Sequence, residues 1–321
     1  MKQKILAVVG PTASGKTSLA IRLAQLTDGE VVSSDSMQIY RRMQIGTAAP
    51  TAEEMQGIPH HMIAVADPDE AFSCADYTER ARACIEEIAS RGKTPILCGG
   101  TGLYLDSLLW VSSFSEAPGS EEIRQKLQNY ADEHGVHALH QRLTEADPES
   151  AAAIHENNVR RVIRALEIYE TTGITKTEWD RRSLAKEPRY DAKITVLDFC
   201  SRSLLYERID LRVTLMLQAG LVEEVRRLYD EGLLDSRYVA SQAIGYKEFL
   251  PYFAGEISLD EAADQIRLSS RRYAKRQLTW FRRYTDALWL HPDENGPPLR
   301  TADQLAQEVL RFCEEDSAKS G

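Results

Sequence analysis

Apolar residues recur along this chain with two different periods. ILAVV, within residues 4–9, is a short unbroken apolar run. Gly10 opens a Gly-rich turn, and SLAIRLAQL (18–26) then places its apolar residues at helical spacing. That change of period predicts strand, loop, helix. EVVSSD (30–35) predicts a second, β-branched strand ending in polar residues, and MIAVAD (62–67) a third. YTERARACIEEIASRGK (77–93) predicts an amphipathic helix, and TPILCGGTG (94–102) a strand running into another Gly-rich turn. Strands alternating with helices imply a parallel sheet covered on its faces. Ligands of such sheets sit beyond the carboxyl ends of the strands. Here those ends are residues 10–17, 34–40 and 99–104, all polar or glycine-rich.

The pattern changes near residue 112. SSFSEAPGSEE (112–122) has the composition of a linker, and helical patterns then run to about 172: EEIRQKLQNYADEHG, VHALHQRLTEAD, PESAAAIH and NVRRVIRALEIYETTG. DAKITVLDFC (191–200) returns to strand character. Residues 203–232 and 258–283 are helical, ALWLH (287–291) predicts a last strand, and 314–321 a frayed end. The expected fold is therefore α/β, a P-loop NTPase-like parallel sheet flanked by helices. Residues 1–113 and 191–321 would form that core, with 114–190 as a mainly helical insertion domain.

Composition narrows the class. With 321 residues, 43% hydrophobic and 27% charged, the chain has enough apolar material for a sizeable core, which excludes general disorder. No run approaches the roughly 18 uncharged apolar residues of a membrane span. Lys2 and Lys4 precede an apolar run too short for a signal peptide, so a buried strand is expected there. Five scattered cysteines form no zinc-type spacing and fit free thiols in a reducing cytoplasm. A net charge of -10 speaks against a nucleic-acid partner, but the average hides a local reversal. From Arg267 to Arg283 there are seven Lys/Arg and no Asp or Glu.

The most specific motif is GPTASGKT, comprising Gly10, Pro11, Thr12, Ala13, Ser14, Gly15, Lys16 and Thr17. It matches the phosphate loop G-x-x-x-x-G-K-[ST]. Its glycines let backbone N–H groups close around a diphosphate, Lys16 adds a point charge, the helix start adds its dipole, and the Thr17 hydroxyl suits Mg²⁺. In SSDSMQIY, Asp35 follows a strand and is placed either to act as a base or magnesium partner, or merely to cap a turn. GGTGLY (99–104) is either a close-approach loop with Thr101 at its tip or an ordinary βα turn. It stands where an ATPase would carry a Walker B acid, which counts against ATP hydrolysis. In RLSSRRYAKRQLTWFRR (267–283), Arg267, Arg271, Lys275 and Arg282 recur at helical intervals among Tyr273, Trp280 and Phe281. That mixture suits RNA phosphates and stacked bases. Arg160, Arg161 and Arg164 make a smaller basic group. Arg208 and Arg212 share a helix face and either clamp a diphosphate or pair with Glu207 or Asp210.

These residues, with IGTAAP near Gly46, IPHH near His60, RRVIRALEIY and AIGYKE, occur in an order that resembles the bacterial tRNA dimethylallyltransferase (isopentenyltransferase) family over about residues 4–290. The resemblance implies transfer of a dimethylallyl group from dimethylallyl diphosphate to N6 of adenosine 37 in tRNA, with Mg²⁺. The thiols and the lack of an apolar span suit a cytoplasmic protein without membrane attachment, and a monomer is expected. The resemblance assigns Asp35 as general base, Thr101 to the donor diphosphate and substrate site, and Arg212 to the diphosphate beside Lys16. Asp35, Ser36, Met37, Gln38, Thr101, Arg124, Arg160, Arg161, Arg164, Gln242, Gly245, Lys247, Lys275, Arg276, Gln277, Trp280 and Arg282 match positions associated with tRNA. AAP at 48–50 departs from the commoner AKP, so one lysine is missing. The cysteines for a C-terminal zinc finger, present in some relatives, are missing too. The alternatives left open are a P-loop small-molecule kinase using ATP, a non-catalytic RNA-binding protein, and transfer to free adenine nucleotides.

Overall fold

The computed structural model describes residues 2–112, 119–182 and 186–319. The chain divides into two units, residues 1–109 with 189–321, and residues 110–188. The expected boundary at 113/114 lies outside the described residues.

The first unit is built on a six-stranded sheet of β1 (Lys4–Val9), β2 (Gly29–Ser33), β3 (His60–His61), β4 (Thr94–Gly99), β7 (Asp191–Leu197) and β8 (Leu288–Leu290). The order is β3-β2-β4-β1-β7-β8 and every pairing is parallel, as the alternating pattern predicts. β1 lies between β4 and β7, and all but its first residue is buried. A strand covered on both faces needs an apolar run rather than an alternation. Helix α1 (Lys16–Thr27) buries Leu19, Ala20, Leu23 and Ala24 against β1 and β4. Helix α2 (Cys74–Ser90) starts at a Ser73/Asp76 capping box and buries Tyr77, Ala81, Ile85 and Ile88. Helix α3 (Gly102–Leu109) follows β4.

Two expectations shift. The third strand is His60–His61 rather than 62–67, with only an isolated bridge from Tyr40 to Ala66. Met62 (φ 61°) and Ala64 (φ 53°) are left-handed, a conformation no strand can carry. The long helical stretch 203–232 breaks into α9 (Arg202–Gln218) and α10 (Leu221–Asp230), because Gly220 (φ 97°) stands between them. Helix α11 (Leu259–Phe281) and α12 (Ala302–Lys319) complete the unit. α12 packs Leu305, Ala306 and Val309 into the same core as α1.

The second unit holds α4 (Glu121–His134), α5 (Val136–Ala146), α6 (Pro148–Ala153), α7 (Val159–Thr172) and α8 (Lys176–Arg182). Leu127, Leu139, Leu143, Val162 and Leu166 form its core. A short antiparallel pair joins β5 (Trp110–Ser112) to β6 (Lys186–Pro188).

Leu23 is fully buried between α1 and the sheet. Leu23→Ala should lower unfolding free energy by about 2–5 kcal/mol. Urea denaturation followed by circular dichroism checks this, and a change under about 1 kcal/mol would contradict the packing described.

Candidate active site

The carboxyl ends of β1, β2 and β4 carry three loops that border one cavity of about 260 Å³. Close backbone approach makes this possible. A Cβ on Gly10 would lie 2.4 Å from the Leu197 carbonyl oxygen, and one on Gly99 2.4 Å from that of Ser34. Neither position admits a side chain.

The phosphate loop is closed from several sides. Lys16 Nζ donates to the Pro11 carbonyl at 2.7 Å, the Thr12 amide donates to Gln277 Oε1 at 2.9 Å, and Arg208 Nε donates to the Ala13 carbonyl at 2.9 Å. Gly15 (φ 93°) turns the chain into α1. Among the described residues, neither Arg208 nor Arg212 pairs with Glu207 or Asp210, and the two arginines differ in what they do. Arg208 pins the loop while its guanidinium lies 5.4 Å from the Phe199 ring centre, and Asp210 is occupied by Arg271. Arg212 lines the cavity with Lys16, and its Nε is buried without a hydrogen-bond partner. Burial holds the Lys16 ammonium down to about 8, with Arg212 adding to the effect, and burial also lowers Arg212. Among the described residues, neither cation has a carboxylate within ion-pair distance.

Asp35 faces the same cavity. Its Oδ1 accepts the Met37 amide at 2.9 Å and the Gln38 amide at 3.4 Å, an arrangement that fixes the carboxylate and leaves Oδ2 without a hydrogen bond. Thr101 is not among the cavity-lining residues. Its Oγ1 accepts the Ser36 amide at 3.0 Å and donates to Ser36 Oγ at 3.2 Å, bracing the Asp35 turn. Tyr273 borders the cavity, and burial, followed by the charge of Asp35, pushes its phenol up to about 12. The cavity also has an apolar lining of Ile209, Val213 and Met216 from α9, the helix that carries Arg212, with Ile266 from α11. Their only signal in the sequence is that 209, 213 and 216 recur at helical spacing around Arg212. Thr17 lines the same cavity. Among the described residues no three His, Cys, Asp or Glu side chains form a metal cage. The Thr17 hydroxyl suits a cation that takes its remaining ligands from diphosphate and water, as Mg²⁺ does.

Ser36, Met37, Gln38, Gln242, Gly245, Lys247 and Arg276 also border the cavity. The basic stretch on α11 is not one uniform face. Lys275, Arg276 and Arg282 are exposed and make no ion pair among the described residues. Arg271 pairs with Asp210, and Arg267 with Asp264 at 2.6 Å. Gln277 is buried, and its Nε2 donates to the Gly100 carbonyl at 3.0 Å. Trp280 packs on Gly102, where a Cβ would meet its ring at 2.2 Å. In the second unit, Arg124 and Arg164 hold the buried Glu167 at 2.9 and 2.8 Å, while Arg160 and Arg161 are exposed on α7.

A further acidic residue follows a strand of the sheet. β7 is an apolar strand followed directly by Asp198, the pattern of a Walker B acid beside the phosphate-loop strand. Asp198 does not line the cavity. It accepts the Phe199 amide at 2.8 Å and pairs with Arg202 at 3.4 Å.

The sequence model of the IPP transferase family matches residues 38–284. The tRNA dimethylallyltransferase of Geobacillus thermodenitrificans is 50% identical over 312 residues, 97% of this chain and 96% of that one. That of Bacillus cytotoxicus is 49% identical over 313 residues, 98% and 95%. Among solved structures, the full-length tRNA isopentenylpyrophosphate transferase of Bacillus halodurans aligns at a TM-score of 0.72 and 42% identity, covering 99% of both chains. A eukaryotic dimethylallyltransferase acting on tRNA aligns at 0.81 and 29% identity, covering 98% of this chain and 80% of that one.

The depressed Lys16 ammonium sets a pH dependence. Below about 8 it is cationic and attracts a diphosphate, and as pH rises through that value the free site loses the charge. Calorimetric affinity for inorganic diphosphate should therefore fall more steeply above pH 8 than in Lys16→Arg, whose cation does not titrate there. Equal slopes would contradict the assignment.

Proposed function

The chain belongs to the IPP transferase family, and on that premise we propose how its cavity moves a dimethylallyl group from dimethylallyl diphosphate to N6 of adenosine 37 in tRNA. The observation that carries the reading is the pairing of two uncompensated cations with a fixed carboxylate and an apolar wall around one small cavity.

Lys16, Arg212 and the amides of the phosphate loop bind the donor's diphosphate. The wall of Ile209, Val213, Met216 and Ile266 takes the five-carbon chain and excludes water from it. An adenine N6 amine is a weak nucleophile, because its lone pair is delocalised into the ring. The allylic carbon compensates by carrying resonance-stabilised positive charge. The C–O bond to diphosphate breaks, the N6–C bond forms, the bonding electrons leave with diphosphate, and Asp35 accepts the N6 proton. Held by two amides through Oδ1, Asp35 has Oδ2 available for that proton. Thr101 supports the step through Ser36. Thr17 would hold Mg²⁺, which would offset charge on the departing diphosphate. A stacked anticodon base does not reach a cavity at strand ends, so the adenosine is flipped out of the loop. Gln38, Gln242, Lys247 and Arg276 receive it, and the exposed Lys275 and Arg282 contact tRNA phosphates. Arg124, Arg160, Arg161 and Arg164 of the second unit take further tRNA contacts.

The kinase alternative is not favoured. The one Walker-B-like acid, Asp198, is paired away from the cavity, and the relatives that align over nearly the whole chain are tRNA prenyltransferases.

The decisive experiment is mass spectrometry of adenosine 37 in unmodified tRNA treated with the protein and dimethylallyl diphosphate, in parallel with labelled ATP. A product heavier by one dimethylallyl group is expected, and phosphoryl transfer without it would overturn the reading. Asp35→Ala should slow single-turnover transfer by roughly 10²–10⁴ while tRNA binding persists. Near-normal transfer would remove Asp35 as the base. Filter-binding affinity for tRNA should fall steeply with salt, as phosphate contacts require.

A further inference from the structure

Glu224 is a buried carboxylate on α10 with an unusual set of partners. Its Oε2 accepts the amides of Gln44 and Ile45 at 3.0 and 2.9 Å, and its Oε1 accepts the Gly46 amide at 3.0 Å and the Tyr246 hydroxyl at 2.7 Å. It is 4% exposed and makes no ion pair with Lys or Arg among the described residues. The segment it grips is a single helical turn, Gln44–Thr47, whose C-cap residue is Ala48. Tyr246 is seated directly on that turn, since a Cβ at Gly46 would lie 2.5 Å from its ring.

Both segments end at the cavity. Gly46, Thr47 and Ala48 border it, and so do Gly245 and Lys247. The turn is then tied to the proposed base. Gln38 Nε2 donates to the carbonyls of Ala48 at 3.2 Å and Thr47 at 3.4 Å, its Oε1 accepts from Ser33 Oγ at 3.0 Å, and its amide donates to Asp35 Oδ1 at 3.4 Å. A run of hydrogen bonds thus leads from Glu224 through the turn and Gln38 to Asp35. None of it involves the phosphate loop, Lys16 or Arg212.

We propose that Glu224 is a positioning residue for the acceptor: it aligns the 44–48 turn with the 245–247 segment and thereby sets where the tRNA adenosine meets Asp35, leaving the donor half of the cavity untouched. The proposal rests on the prenyl-transfer reading above and assigns Glu224 no contact with either substrate. A carboxylate is suited to the task because its two oxygens accept four hydrogen bonds here, whereas an amide of the same shape turns one oxygen into a donor facing N–H groups.

The test compares wild type with Glu224→Gln and Gly46→Ala. The second change disturbs the same contact from the opposite side and keeps the carboxylate. Three quantities are measured: kcat/KM for tRNA, affinity for a non-reactive thiolodiphosphate analogue of the donor, and melting temperature. Displacing a positioned reactant costs up to about 100-fold, so kcat/KM for tRNA should fall roughly 10–100-fold in both variants. Analogue affinity should stay within about threefold, and Glu224→Asp should recover part of the loss. A purely architectural role would lower tRNA turnover, analogue affinity and melting temperature together, and that result overturns the proposal, as does unchanged tRNA turnover. If Glu224→Gln does not fold, the split must appear in Gly46→Ala. Failure of wild type to prenylate tRNA would instead defeat the functional reading, so the two failures are separable.

Discussion

The site depends on positive charge that the protein itself does not neutralise. Lys16 and Arg212 border one small cavity, both disfavoured as cations by burial, and no carboxylate pairs with either among the described residues. An enclosed ammonium and a guanidinium nitrogen without an acceptor are costly in the free protein. The folded sheet sustains that cost, because the core around α1 fixes the loop that holds Lys16, and Arg208 fixes the loop from α9. The cation pair is thus ready for a doubly charged group before one arrives. That preparedness matters most for chemistry in which negative charge grows on the departing group.

The other half of the cavity is arranged on different terms. Asp35 is oriented by amides of its own turn, and its turn is braced by Thr101 through Ser36. Apolar side chains, a phenol and the cations of Lys247 and Arg276 also line the cavity. The buried cations and the fixed carboxylate thus come from separate elements, the phosphate loop after β1 with α9 for the first and the turn after β2 for the second.

Much of this was legible in the sequence because it rests on local periodicity. The strand, phosphate loop and α1 are read directly from an abrupt change of apolar spacing, and the Gly10 and Gly15 positions follow from the anion they must surround. What was not legible depends on contacts between distant residues or on backbone geometry without a residue signature. Met62 and Ala64 adopt left-handed conformations that their side chains do not advertise, so the third strand was expected too late in the chain. Asp198 ends a strand in the right pattern, yet its partners, the Phe199 amide and Arg202, remove it from the cavity. The partnership of Glu224 with Gln44, Ile45 and Gly46 spans 178 to 180 residues and leaves no trace in local spacing. Gln277 sits in a basic stretch that reads as one surface. It is nevertheless in phase with Ala274, Leu278 and Phe281, the inward face of α11.

That glutamine has a consequence for how the molecule can diverge. With one planar group it accepts from Thr12 and donates to Gly100, so two glycine-bearing loops and the helix that presents Lys275 and Arg282 share a single fastener. Neither glutamate nor leucine reproduces both ends of it. Helix register, anion cradle and Gly-rich turn must therefore drift in concert or not at all. Freedom to vary is left to the outward residues of α11, while its inward face stays bound to the two loops.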